Sequence, residues 1–202
     1  MALVFLDRQH SGNPGRRSSL GAVNDLDGDG KKEIHETDAI WTARYLLACE
    51  LRLRQLGHDV IPISDGRYFE RHDRANTYQK SGELGIYIAA HLNAGLSRGG
   101  IGYGAMFYDY RSTKGPLLAK EICKQLIAYC PELQDKAKAI KATPENWTKN
   151  AFYTIRGVRA IGICAEPCFI DSPAHKPLFS QKGMRLIGEA IAEGIQNFAD
   201  SQ

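Results

Sequence analysis

The chain is 202 residues long, with 43% apolar and 24% charged residues, which is enough material for one hydrophobic core, so we expect a single domain. The formal charge of +3 at pH 7 comes from lysines and arginines scattered along the chain, a distribution that argues against a nucleic-acid partner. No apolar run approaches the roughly 20 residues that cross a bilayer, which argues against membrane insertion.

Predicted strands and helices alternate along the chain. Strand-like apolar runs lie at 2–7, 58–64, 84–91, 101–109 and 160–166, and helical patterns lie at 36–57, 68–81, 115–129 and 180–199. The apolar face of the first helix is predicted from residues at helical spacing: Ile40, Ala43, Leu47 and Leu51. The cluster "KAKAIK" (136–141) is interpreted as a solvated helical face. The alternation is typical of a single-domain α/β fold with a twisted, mostly parallel β-sheet and helices on both faces.

Cysteine usage indicates a reducing compartment. The five cysteines are an odd number and lie in apolar runs, where a reduced thiol packs as a small hydrophobe; they are Cys49, Cys123, Cys130, Cys164 and Cys168. We therefore expect synthesis in the cytoplasm. The apolar run that opens the chain, "ALVFLD" (2–7), is too short for a secretory leader, so no signal peptide is expected.

Polar side chains follow three of the predicted strands. The first strand runs into "DRQHSG" with His10, the third into "AAHLNAG" with His91, and the last into "CAEPCF" with Glu166. Carboxyl ends of parallel strands share one edge of a sheet, where sites are commonly built. Imidazole and carboxylate groups are zinc ligands, although each histidine alone could equally be a hydrogen-bonded residue at a strand end.

An ordered series of motifs covers nearly the whole chain and resembles the zinc-dependent N-acetylmuramoyl-L-alanine amidases of the type-3 amidase family, which includes bacterial cell-separation amidases and phage endolysins. The motifs are "VFLDRQHSG", "ETDAIWTARYLLACELRLRQLGHDV", "ERHDRAN", "IAAHLNAG", "LLAKEI" and "ICAEPCFID". The sequence departs from the family most clearly in the long segment "SGNPGRRSSLGAVNDLDGDGKK" after the first histidine.

The resemblance implies a mechanism and a ligand set. It implies that His10, Glu36 and His91 hold Zn2+ and that Glu166 is the catalytic carboxylate. The implied reaction is hydrolysis of the amide between N-acetylmuramic acid and L-alanine in peptidoglycan. Asn93 and Arg71 are predicted either to orient the substrate or to pack the site.

An aspartate ladder precedes the predicted ligand Glu36. In "DLDGDGKKE" (25–33), glycine occupies the sixth position, where a calcium loop turns sharply. The predicted Ca2+ ligands are Asp25, Asp27, Asp29 and Glu33. The alternative is an acidic turn, because Asp and Gly are common turn residues. His35 could compete with Glu36 for zinc, but it is expected to face solvent.

The predicted biological setting is that of a monomeric, single-domain endolysin, made in the cytoplasm and released to the cell wall by a holin-type pore, with peptidoglycan as its partner. Two alternatives remain open. One is a zinc peptidase or carboxypeptidase that acts on the peptide stem, and the other is a non-catalytic wall-binding or calcium-binding module.

Overall fold

A computed structural model describes residues 1–10, 20–27, 29–31, 33, 37–95, 103–133 and 136–202. Its strands are β1 (Leu3–Arg8), β2 (Asp59–Ile63), β3 (Gly85–Ala90), β4 (Gly104–Asp109), β5 (Ala137–Ala142) and β6 (Ile161–Glu166). Its helices are α1 (Asp38–Gln55), α2 (Tyr68–Tyr78), α3 (Gly115–Tyr129), α4 (Lys149–Ile155) and α5 (Gln181–Asp200). Two short 3-10 turns cover Pro131–Leu133 and Pro173–Leu178.

The strands form one six-stranded sheet in the order β2-β1-β3-β6-β4-β5. Strands β2, β1, β3 and β6 run parallel, whereas β4 is antiparallel to β6 and parallel to β5. Every residue of β3 is buried, as expected for a central strand covered on both faces. The predicted single-domain α/β fold with a mostly parallel sheet is confirmed.

Side chains alternate between two hydrophobic cores on opposite faces of the sheet. Val4 and Leu6 of β1 pack with α1, α3 and α5, whereas Leu3 and Phe5 pack with α2 and α4. This alternation follows from the two-residue period of a strand. Helices therefore cover both faces, as predicted.

Helices α1 and α5 approach each other closely at Gly188. A Cβ atom at this position would lie 2.3 Å from the backbone oxygen of Tyr45 and 2.7 Å from the backbone nitrogen of Cys49. The absent side chain lets the two helix backbones meet directly, and the contact stabilises the larger of the two cores.

Two sequence predictions about local structure are wrong. The segment "KAKAIK" is not helical, because residues 137–142 form the edge strand β5. Its lysines are typical of an edge strand that must not pair with other chains. The predicted apolar face of α1 is also wrong, because Leu47 and Leu51 are 58% and 56% exposed, while the buried face carries Trp41, Tyr45 and Cys49.

All five cysteines are buried and none forms a disulfide. Burial raises the pKa of every one of these thiols, to about 12 for Cys123 and Cys130. The thiols therefore act as packing groups, as the sequence predicts. Within the described part of the chain, no helix is both long enough and apolar enough to cross a membrane.

Candidate metal centre and catalytic carboxylate

Two histidines and an aspartate converge where β1 and β3 end and α1 begins. His10 follows β1, His91 follows β3, and Asp38 is the first residue of α1. The His91 Nδ1 and His10 Nε2 atoms are 3.1 Å apart, and Asp38 Oδ2 lies 3.6 Å from His10 Nε2 and 4.0 Å from His91 Nδ1. The three residues form a group with metal-ligand composition and spacing.

The backbone around the cluster fixes the position of Asp38. Its Oδ2 atom accepts a hydrogen bond of 3.1 Å from the Leu92 backbone N–H, directly after His91. Gly21 adopts a positive φ of 70° and packs against the cluster, where a Cβ atom would lie 2.6 Å from Asp38 Cβ and 2.7 Å from His10 Cδ2. Glycine is therefore required by both backbone conformation and space.

Two polar atoms of the cluster are buried without a hydrogen-bond partner among the described residues, Asp38 Oδ1 and His91 Nε2. Burial raises the pKa of Asp38 well above its ordinary value, and the nearby Glu166 adds to this effect. Burial, followed by the charges of His10 and Arg71, lowers the pKa of His91 to about 3. His91 is therefore neutral at physiological pH, which is the form that binds metals.

Glu166 ends β6 and lies on the strand beside His91. The His91 backbone N–H donates to the Ala165 carbonyl over 2.9 Å, which aligns the two strand ends. Burial raises the pKa of Glu166 to about 7. The carboxyl is therefore poised to exchange protons near neutral pH, as a general acid or base requires.

The structure brings together three of the four residues that the sequence assigns to the zinc and catalytic site: His10, His91 and Glu166. The predicted zinc ligand Glu36 lies outside the described residues, and so does His35. Sequence reasoning did not single out Asp38, whose carboxylate lies beside the two histidines among the described residues. A signal was present, because Asp38 lies one helical turn before Trp41 and Thr42 on the buried face of α1.

Arg71 is occupied by structural contacts behind the cluster. Its Nη1 atom lies 2.7 Å from the buried Asp7 carboxylate and also donates to the Arg8 carbonyl, while its Nε donates to the Gly66 carbonyl. Tyr87 donates its hydroxyl to the same Asp7. These contacts fix the end of β1 just before His10, so they favour the packing role of the two roles that the sequence leaves open.

Asn93 joins the two strand-end segments through its backbone. Its N–H donates to the Cys168 carbonyl and its carbonyl accepts from the Ile170 N–H, over 3.0 and 2.9 Å. The side-chain Oδ1 accepts from the Ala94 N–H. Asn93 is only partly buried, and substrate binding by its side chain stays a prediction.

The aspartate ladder is compact. Carboxylate oxygens of Asp25, Asp27 and Asp29 lie within 4.8 Å of one another, and Gly30 turns the chain with a φ of 84°. Backbone N–H groups inside the loop donate to all three carboxylates. Glu33 is exposed and is not grouped with the three aspartates. An acidic turn and a calcium loop both fit this geometry.

Residues 4–197 match the N-acetylmuramoyl-L-alanine amidase family, Amidase_3. The chain belongs to this family. The match spans β1 to α5, so it contains His10, Asp38, His91 and Glu166. Comparison with curated protein sequences gives no significant match.

Several solved structures share the fold. Cwp6 from Clostridium difficile is 22% identical with a TM-score of 0.76; the alignment covers 97% of this chain but only 29% of the Cwp6 chain. The N-acetylmuramoyl-L-alanine amidase from Clostridium difficile 630 is 18% identical with a TM-score of 0.75, over 100% of this chain and 98% of that one. The catalytic domain of the CD27L endolysin, which targets Clostridia Difficile, is 17% identical with a TM-score of 0.61, over 98% of both chains.

Proposed function

We propose that this protein is a zinc-dependent hydrolase that cleaves the amide between N-acetylmuramic acid and L-alanine in peptidoglycan. The observation that carries the proposal is the cluster of two histidines and one carboxylate, beside the separate carboxylate of Glu166, in a chain of the amidase family. Members of this family are generally zinc-dependent.

The donor set fits zinc. Zinc binds imidazole nitrogen and carboxylate oxygen at about 2 Å, so neighbouring ligand atoms of a tetrahedral site lie roughly 3.3 Å apart. The separations of 3.1, 3.6 and 4.0 Å in the cluster are close to this value. We propose His10, Asp38 and His91 as the ligands. Glu36, the carboxylate that the family resemblance implies, is the alternative.

The buried carboxylate of Asp38 supports a cation in this place. A cation beside Asp38 Oδ2, the oxygen that faces both histidines, would offset the cost of burying this carboxylate. Asp38 would be ionised next to the cation despite the burial that raises its pKa. The neutral imidazole of His91 already has the protonation state that ligation needs.

Bound zinc would polarise the scissile carbonyl and lower the pKa of a coordinated water to roughly 7. Glu166 would accept the proton of the attacking water and pass it to the departing alanine nitrogen. Its partly buried position limits competing water and keeps its pKa near the working pH. Asn93, on the same sheet edge, is proposed to bind the substrate.

The test combines metal analysis with product analysis. Purified protein should contain about one zinc per chain, clear a suspension of cell walls, and lose activity to a chelator that zinc then reverses. Mass analysis of the released muropeptides should show cleavage of the lactyl-alanine amide. Cleavage within the peptide stem would instead identify a peptidase, and wall binding without new amine groups would identify a binding module.

We further propose a structural Ca2+ held by Asp25, Asp27, Asp29 and Glu33. The support is the convergence of three carboxylates at a glycine turn, since hard oxygen ligands suit calcium. Calcium should raise the melting temperature of the wild type, and the Asp27→Ala/Asp29→Ala double variant should lose this response while retaining zinc. If calcium does not raise the melting temperature of the wild type, this segment is an acidic turn and not a calcium loop.

A role in lysis is the proposed biological setting, supported by the fold shared with the catalytic domain of the CD27L endolysin. Expression in a host of susceptible wall chemistry should cause lysis only when a holin is co-expressed. Lysis without the holin would contradict release by this route.

A further inference from the structure

A buried hydroxyl contacts the backbone of the proposed zinc ligand His91. Tyr45 lies on α1 and is fully buried, and its Oη atom donates a hydrogen bond of 3.0 Å to the His91 carbonyl oxygen. The hydroxyl is the donor because a carbonyl oxygen only accepts. Tyr45 is neither a ligand nor a proton donor in the proposed mechanism, so this contact acts on His91 and not on the substrate.

Helix α1 holds the peptide group between His91 and Leu92 at both of its polar atoms. Tyr45 donates to the carbonyl of this peptide group, and the N–H of the same group, which belongs to Leu92, donates to Asp38 Oδ2 over 3.1 Å. Asp38 and Tyr45 are seven positions apart in the chain, nearly two turns of an α-helix, so both side chains leave the same face of α1. Because a peptide group is planar and rigid, contacts at both polar atoms fix its orientation.

The orientation of this peptide group limits where the His91 imidazole can point. The His91 N–H donates to the Ala165 carbonyl over 2.9 Å, so hydrogen bonds hold the backbone on both sides of the His91 Cα atom. The backbone sets the direction in which a side chain leaves its Cα atom, and the allowed rotamers depend on φ and ψ. These contacts therefore restrain the imidazole, whose Nδ1 atom lies 3.1 Å from His10 Nε2.

Tyr45 is itself held in place by its surroundings. It belongs to the larger of the two hydrophobic cores, together with Cys49 one turn later on α1. Helix α5 approaches the Tyr45 backbone directly at Gly188, where a Cβ atom would lie 2.3 Å from the Tyr45 carbonyl oxygen. Because packed interiors contain few voids, a side chain that a second helix covers has little freedom to move. The Tyr45 hydroxyl is therefore a fixed contact for the end of β3.

We propose that Tyr45 is a positioning residue of the metal centre, which orients His91 for the metal through the His91 backbone carbonyl. The identity of the metal as zinc and the catalytic use of the site rest on the proposed function. Loss of a group that orients a metal ligand typically lowers metal affinity 10- to 100-fold. Tyr45 contacts the backbone of His91 and not its imidazole, so we expect the lower end of this range.

The test compares two variants that each lose one buried hydroxyl. Tyr45→Phe keeps the ring, and its zinc Kd, measured by competition with a chromogenic chelator, should rise about tenfold. Thr154→Val is the matched control, because Thr154 is 3% exposed and donates its hydroxyl to the Ala151 carbonyl over 2.8 Å on α4, which covers the other face of the sheet. Urea unfolding of the metal-free proteins should show a similar loss of stability in both variants, whereas Thr154→Val should leave the zinc Kd unchanged. Equal weakening of zinc binding by both variants would overturn the proposal.

A double-mutant cycle tests whether Tyr45 acts through His91. In a His91→Ala background the imidazole is absent, so the further change Tyr45→Phe should alter the zinc Kd by less than about twofold. If Tyr45→Phe still weakens zinc binding about tenfold in this background, the hydroxyl supports the fold as a whole and the positioning role is wrong.

Zinc binding and amide hydrolysis, measured on the same preparations, separate this inference from the proposed function. Weaker zinc binding by Tyr45→Phe, in a protein whose wild type cleaves no muramoyl amide, would support the positioning role and refute the proposed function. Amidase activity of the wild type together with an unchanged zinc Kd in Tyr45→Phe would refute the positioning role and leave the proposed function intact. A wild type that binds no zinc would overturn both.

Discussion

Replacing Asp38 by asparagine tests which of two carboxylates, that of Asp38 or that of Glu36, is the third zinc ligand beside the two histidines. The change preserves shape and leaves an amide oxygen to accept the Leu92 N–H, but it removes the negative charge next to both histidines. Zinc sites with four ligands bind with roughly 10–16 kcal/mol, so an even share for one ligand is about 2.5–4 kcal/mol. The zinc Kd of Asp38→Asn should therefore rise about 10²- to 10³-fold.

In the metal-free protein, the same substitution should not lower the free energy of unfolding. Because burial raises the pKa of Asp38 in the folded state, the unfolded state binds fewer protons, and stability falls as pH rises above the unfolded-state pKa of about 3.9. At pH 7 the burial of the Asp38 carboxyl thus destabilises the apo fold. Asparagine avoids this cost, so the apo unfolding free energy of Asp38→Asn should equal or exceed that of the wild type.

The assay is competition for zinc with a chromogenic chelator, paired with urea unfolding of the chelator-treated protein. Glu36→Gln is the matched control and should shift the zinc Kd by less than about threefold if Asp38 is the ligand, because a charge that does not bind the metal directly contributes little to its affinity. If Glu36→Gln weakens zinc binding about a hundredfold while Asp38→Asn does not, the assignment from geometry is refuted and Glu36 is the ligand.

Three further changes have defined expectations. Glu166→Gln should retain zinc and bind cell walls but lower turnover about 10²- to 10⁴-fold, measured on a soluble muramoyl-peptide; near-native turnover would remove the proton-transfer role. Arg71→Ala leaves the buried Asp7 carboxylate unpaired and should lower the unfolding free energy by about 3–5 kcal/mol in urea titration, whereas a neutral effect would show that the pair is dispensable. Gly188→Ala forces a Cβ atom against the backbone oxygen of Tyr45 and should cost about 1–3 kcal/mol in thermal unfolding; an unchanged melting temperature would mean that the helices separate freely.

The parts of the fold that sequence reasoning predicted correctly are those in which one local signal decides the outcome. Strands β3 and β6 are continuous apolar runs bounded by polar residues, and parallel strands must bring their carboxyl ends to one edge. The approach of His10, His91 and Glu166 follows from that rule alone.

The predicted buried face of α1 is wrong because tertiary packing, and not periodicity, decides which of two apolar stripes is buried. Helix α1 carries one apolar stripe through Leu47 and Leu51 and another through Trp41 and Tyr45, and periodicity alone does not tell which one α5 and the sheet will cover. Asp38 lies on the buried stripe, so it was not identified when the other stripe was predicted to be buried. Strand β5 was missed for a related reason, because its lysine-rich pattern reflects an edge position rather than a helix.

The burial of all five cysteine thiols determines how the folded protein reacts with oxidants and thiol reagents. Thiolate is the reactive form of cysteine, and burial with a raised pKa suppresses it at all five positions. The folded chain can therefore pass between reducing and oxidising surroundings without forming cross-links. A single cysteine introduced at an exposed site would accept a maleimide dye selectively at neutral pH, with the native five left in place.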